Sequence, residues 1–211
     1  SGGVYDEGGR AWLAPLEGND AARAAFRLGE WNRYEIEAIG PRIRTRVNGV
    51  PAAGWLDGTV AGLLAFQVHG GPACEVRFRG ATIEELGRHE WVAIGADGVI
   101  PPGVTGVRAR VHAGASLVVR DRAGATLAEA RGRGDAADDA PTLAEILWFE
   151  GSFAVLVDGR KVGGGTEESV PARACVALAT GDAASEAVAF DASTIEVLRR
   201  FEGAVDAPFG R

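Results

Sequence analysis

Apolar and polar residues change places at every second position along much of this chain. Tyr34, Ile36 and Ala38 alternate with Arg33, Glu35 and Glu37, and Ile43, Thr45 and Val47 with Arg42, Arg44 and Arg46. Leu64, Phe66 and Val68 alternate with Ala65, Gln67 and His69, and Cys74, Val76 and Phe78 with Glu75, Arg77 and Arg79. A period of two belongs to strands that bury one face and wet the other, so the pattern predicts antiparallel sheets. Asn48-Gly49 falls between two such runs and predicts a tight hairpin, since both residues tolerate the positive φ that its turn requires. Gly70-Gly71-Pro72 predicts the next turn. The 31 glycines suit many short strands joined by turns. The expected fold is all-β, built of antiparallel sheets.

Little helix is expected. Residues 21–26 fit one helical turn, 143–148 read better as a strand through Ile-Leu-Trp-Phe, and a new strand starts at Glu90-Trp91. Residues 131–142 form a polar, low-complexity loop, and the tail from Glu202 is expected to be loosely held. A net charge of −7 argues against a nucleic-acid partner. No apolar run reaches the roughly 18–20 residues of a membrane-spanning helix. No P-loop, no Cys/His metal spacing and no G-x-S-x-G is present, so no cofactor or metal is assigned. Position 1 is Ser and the chain holds no methionine, which would suit a processed protein, exported to the periplasm or the outside of a bacterial cell. Cys74 and Cys175 lie in apolar runs and read as buried thiols rather than a disulfide.

The chain also repeats itself. Residues 62–86 align without a gap to 174–198, with Ala65, Val76, Phe78, Thr82, Ile83, Glu84 and Leu86 recurring at an offset of 112. Upstream, Val47-Asn48-Gly49 matches Val157-Asp158-Gly159 at an offset of 110. The packing residues recur, whereas Gln67, His69 and Arg77 become Ala179, Gly181 and Ala189. Two copies of a β unit are therefore expected, residues 1–87 and a degenerate 88–211, with any polar site confined to the first.

Several stretches of the first unit resemble the 3-keto-disaccharide hydrolase family. Residues 29–36 (GEWNRYEI) are similar to its GEWN-x-Y-x-I strand, and Gly40, residues 42–44 and 47–50 (VNGV) to its G-x-R-I-x-x-x-x-N-G-V hairpin. Residues 66–70 (FQVHG) and Phe78-Arg79 resemble its closing strands. The resemblance covers residues 29–87, the C-terminal half of such a domain, and implies a concanavalin A-like jelly roll. The family's Y-E-x-Q-I segment has no counterpart, Gly80 stands where Asn follows Phe-Arg, and Arg46 where an aromatic is common. Half a sandwich leaves an open sheet edge. A preceding segment, residues 88–211 or another chain would have to supply the opposing sheet.

The resemblance implies action on glycosides oxidised at the sugar's C3. A ketone there acidifies the C2 proton, so a base can remove it and the C1 substituent can leave. That chemistry needs a base titrating near neutrality, a cation or donor for the enolate, and an acid for the departing oxygen. Strand parity puts Gln67, His69, Glu75, Arg77 and Arg79 on one outer face, and a sheet order as in the family would add Glu35, Glu37, Arg42, Arg44 and Arg46. His69 is the candidate base, Arg44 and Arg77 the candidate enolate holders, and Gln67, Asn32, Glu35 and Arg79 the candidate sugar-binding groups. The same face also reads as a solvated sheet laced with cross-strand Arg–Glu pairs, and His69 as a turn cap. Trp31 is expected in the core, with Trp12, Trp55, Trp91 and Trp148 as core or edge aromatics, and His89 and His112 at the surface. Asp135, Asp138 and Asp139 read as a solvated acidic loop rather than a calcium site. The partner implied is a 3-keto-glycoside or other carbohydrate. A non-catalytic carbohydrate-binding module and an assembly domain are the competing readings.

Overall fold

The computed structural model describes residues 1–68, 70–95, 97–133, 140–166, 174–180 and 195–201. Its elements, in order, are β1 (Val4–Asp6), β2 (Ala11–Ala14), α1 (Asp20–Ala25), β3 (Tyr34–Ile39), β4 (Arg42–Val47) and β5 (Val50–Leu56). There follow β6 (His89–Ala93), β7 (Gly106–Val111), β8 (Ala115–Arg120), β9 (Thr126–Arg131) and β10 (Thr142–Phe149). The last are β11 (Ser152–Val157), β12 (Arg160–Thr166), β13 (Cys175–Thr180) and β14 (Ile195–Arg200). The protein is all-β, with antiparallel sheets stacked as a sandwich, in keeping with the jelly-roll class expected. The single short helix is capped by Asn19, whose side chain accepts from the Ala22 amide.

The two main layers come from β6 onward. A six-stranded sheet in the order β12-β11-β10-β7-β14-β6 faces a three-stranded sheet, β13-β8-β9. Period-2 alternation sends Val107, Ala109, Ala144, Ile146, Ile195 and Val197 inward from the first sheet, where they meet Leu117, Val119 and Val176 of the second. The outer face of the six-stranded sheet is covered too. There Leu147, Ala154 and Leu156 pack against Leu56 at the end of β5, with Trp55 and Trp91 alongside. The N-terminal sheet, β3-β4-β5, thus joins the sandwich from outside.

Charged groups seat that N-terminal part at both ends of β11. At one end Arg10 donates to the Gly159 carbonyl at 2.9 Å. At the other, the buried Arg42 pairs with Glu150, pairs with Glu37 at 2.6 Å and stacks on the Phe149 ring. Both turns of the predicted repeat agree in conformation. Asn48 and Gly49 have φ of 51° and 81°, and Asp158 and Gly159 have 49° and 69°. Each acidic or amide side chain also accepts from the amide fifteen residues earlier, Asn48 from Arg33 at 2.8 Å and Asp158 from Leu143 at 3.0 Å. The three-stranded meander β3-β4-β5 therefore recurs as β10-β11-β12. The likeness stops there. β13 and β14, expected to be neighbours, lie in different sheets, so a complete second copy is not confirmed.

Residues 61–86 overturn a further expectation. The expected ladder strands at 64–68 and 74–78 do not form, and Leu64, Phe66, Val76 and Phe78 are exposed rather than buried. The Phe66 and Phe78 rings nonetheless lie side by side with centroids 4.6 Å apart. What is missing is a layer opposite them. The inner face of the six-stranded sheet is filled by β13-β8-β9 and part of its outer face by Leu56 and Trp55, and the side chains of Leu64, Phe66, Val76 and Phe78 do not pack on it. The same lack exposes Ile36 on β3, while Val47 on β4 is buried against the N-terminal residues around Gly2. Cys74 is exposed and Cys175 half-buried, and they form no disulfide.

Candidate functional site

The described residues among those singled out from sequence lie on the N-terminal part, each with a partner of its own. Gln67 donates to Glu7 at 2.5 Å, Arg77 pairs with Glu75 at 2.5 Å, and Arg44 faces Glu150 at 3.7 Å. Three different carboxylates thus hold three of the expected site groups. Glu35, opposite Arg46 in the β3–β4 ladder, is paired with Arg33 at 2.8 Å. Asn32 is committed to its own loop: it accepts from the Arg27 amide and Asn48, and donates to the Arg27 and Glu30 carbonyls. Arg79 lies 3.8 Å above the Trp31 ring, and Trp31 is half exposed rather than in the core. His69, Asp135, Asp138, Asp139, Gly181 and Ala189 lie outside the described residues. His89 is not a plain surface residue. Its ring packs against Gly40 with Nδ1 buried and unpartnered, and burial, then the charge of Arg200, lowers its pKa.

A different constellation forms where the N-terminal part meets the outer face of the six-stranded sheet. There a cleft of about 400 Å³ is lined by Arg10, Asp57, Gly58, Trp91, Arg108 and Glu145, among others. Glu145 sits on β10, whose inner positions Ala144 and Ile146 fill the core, so alternation points it outward. Its cross-strand neighbours are Arg108 on β7 and Leu156 on β11. Arg108 turns to Glu196 on β14 at 2.7 Å and lies over the Trp91 ring at 4.4 Å. Trp91 in turn donates through Nε1 to the Gly58 carbonyl at 2.9 Å.

That hydrogen bond holds the chain after β5 close over Glu145. A Cβ on Gly58 would come within 1.9 Å of Glu145 Oε1, so a side chain there would push the carboxylate aside. Beside it Asp57, 4% exposed, accepts from the Thr59 amide at 2.8 Å and from Trp55 Nε1 at 3.2 Å. It also pairs with Arg10 at 2.7 Å, which bridges to Asp6 at 2.6 Å. Every charged partner is therefore engaged elsewhere, and Glu145, also 4% exposed, forms no ion pair among the described residues. Its pKa is pushed up to about 7, first by burial and then by the Asp57 carboxylate, while Arg108 and Arg10 pull it down. A buried carboxyl that titrates near neutrality beside two guanidinium groups can take up and return a proton under mild conditions.

Sequence reasoning missed this cleft because the neighbours of Glu145 come from four separated stretches. One signal was available. The offset of 110 that relates the two hairpins sets Glu145 on Glu35, each two residues beyond the amide that the turn side chain caps. Arg46, which faces Glu35, becomes Leu156 facing Glu145, so on the β11 side the second carboxylate has no cation opposite it.

Fold and cleft together define an all-β sandwich protein with a buried carboxyl, Glu145, in a cleft on the outer face of its six-stranded sheet. Residues 1–84 match the 3-keto-alpha-glucoside-1,2-lyase-like domain family, and that match supports a sugar-active function in general. No curated protein matches the chain. Among the described residues no group of His, Cys, Asp and Glu has the arrangement of a metal site, and no helix is long and apolar enough to cross a membrane.

Proposed function

We propose that the chain cleaves the glycosidic bond next to a 3-keto sugar, and that residues 1–87 and 88–211 act as two units in doing so. The observation that carries this reading is the family match over residues 1–84. The chemistry is a β-elimination. A base takes the C2 proton, the C–H electrons form the enolate of the C3 ketone, and the enolate expels the C1 oxygen as the ketone re-forms. The departing oxygen takes a proton, so charge and atoms balance without an added oxidant. The protein must supply one proton acceptor, one proton donor and one cation.

The test is direct. Incubation with a 3-keto-glucoside should release the aglycone, whereas the unoxidised glucoside should be inert, because only the ketone acidifies C2. Release from both substrates, or from neither, overturns the reading. The competing reading is a carbohydrate-binding module, favoured by the exposed Trp31 with Arg79 on its ring and by the exposed Tyr5–Trp12 pair, 4.9 Å apart. It is the answer if plain oligosaccharides bind and no 3-keto-glucoside turns over.

A further inference from the structure

We propose that the cleft between Gly58 and the outer face of the six-stranded sheet is the sugar site, with Glu145 moving the proton and Arg108 holding the developing oxyanion. The inference rests on the sugar-active reading and departs from the face of Gln67, Arg77 and Arg44 that the sequence suggests.

Three observations carry it. The first is space: about 400 Å³ lies within the range of small-ligand pockets. The second is the donor and acceptor set. Carboxylates of Asp57 and Glu145 accept, guanidinium groups of Arg10 and Arg108 donate, and the mixture of signs suits neutral hydroxyl groups better than an anion. The third is the state of Glu145. Asp57 is held by Arg10 and two N–H donors, whereas Glu145 has no ion partner among the described residues, and Arg108, bound to Glu196 through Nε, keeps further N–H donors for a ligand.

The build of the site explains why. Gly58 leaves its Cβ position to the Glu145 carboxylate, and Leu156 stands where the first meander places Arg46. Both choices keep the carboxyl dry and unpaired at an open cleft. The charged groups that face it are Asp57 and Arg10 from the N-terminal part, Arg108 from β7 and Asp158 from the β11–β12 turn. In the reaction Glu145 takes the proton from the carbon beside the ketone and hands it to the departing oxygen, one group serving in turn as base and acid. Arg108 lies next to Glu145 across the ladder, where it meets the enolate oxygen.

Glu145→Gln keeps the shape and removes the proton acceptor. It should lower kcat on a 3-keto-glucoside by about 10²–10⁴-fold with little change in KM. The wild-type kcat/KM should rise with pH through an inflection near 7 that the variant lacks. Arg131→Ala, which removes an exposed pair with Glu129 on β9, should leave both parameters within about twofold. If Glu145→Gln turns over normally, the cleft assignment is wrong while the function stands. If the wild-type protein turns over no 3-keto-glucoside, the function fails, and a second measurement judges the site. The Glu145 carboxyl carbon, identified by its loss from the NMR spectrum of Glu145→Gln, should shift on addition of methyl glucoside. That shift should vanish in Ala61→Trp, which fills the cleft mouth. No shift with the sugar overturns the site as well.

Discussion

Glu145 carries the clearest pH signature of any single residue here. Its carboxyl ionises near 4.5 in the unfolded chain and about 7 in the fold. Between those values the folded state holds the extra proton, so stability falls as pH rises through that window and falls no further above it. At roughly 1.4 kcal/mol per pH unit the full loss is on the order of 3 kcal/mol. Glutamine copies the protonated acid without the charge. Glu145→Gln should therefore unfold at a higher temperature than the wild type at pH 8 and at nearly the same temperature at pH 4.5, by calorimetry at both values. An equal difference at both pH values would show that Glu145 is not the group being desolvated. Such a residue is hard to see in sequence. Leu143-Ala144-Glu145-Ile146 reads only as a strand with a charge on its wet side, and that side is dry because Gly58, far away in the chain, closes over it.

At the scale of elements, what was legible is what the chain decides locally. Asn48-Gly49 and Asp158-Gly159 turn as expected because Asx and Gly carry positive φ within two residues. The same holds for the short helix, expected over 21–26 and found at Asp20–Ala25. Pairing across sheets was not legible, which is why β13 and β14 separate and why 64–68 and 74–78 form no ladder. The second turn has a further duty, since Arg10 reaches the Gly159 carbonyl and a Cβ on Gly159 would lie 2.9 Å from Arg10 Nη1. Gly159→Ala should cost about 1–2 kcal/mol from the left-handed backbone alone. It should also displace the guanidinium that pairs with Asp57, so chain cleavage by trypsin after Arg10 should quicken. Gly49→Ala pays the same backbone cost but has open space around its Cβ. Its Arg10 cleavage should be unchanged, and a variant pair that behaves alike would separate Arg10 from the turn.

Across the whole molecule the large exposed apolar side chains are unevenly shared. Leu63, Leu64, Phe66, Val76, Phe78 and Ile83 stand open in the N-terminal part, whereas from residue 88 onward Val162 is the one exposed among the described residues. The sandwich of β6 to β14 has closed on itself, and the N-terminal part meets it through the end of β5, the residues that follow, and the charged contacts of Arg10 and Arg42. Apolar area that stays in water contributes nothing to folding, so substitution there and in the core should differ sharply. Leu117, fully buried between the layers, should lose about 2–5 kcal/mol on Leu117→Ala. Phe66→Ser and Phe78→Ser together should change stability by less than about 1 kcal/mol, and should lower binding of a hydrophobic dye that reports exposed apolar surface. Chemical denaturation of the three proteins with equal m-values decides it. If the Phe66/Phe78 pair costs as much as Leu117→Ala, these rings are covered in solution, and a second layer, from another chain, closes the face that one copy of this polypeptide leaves open.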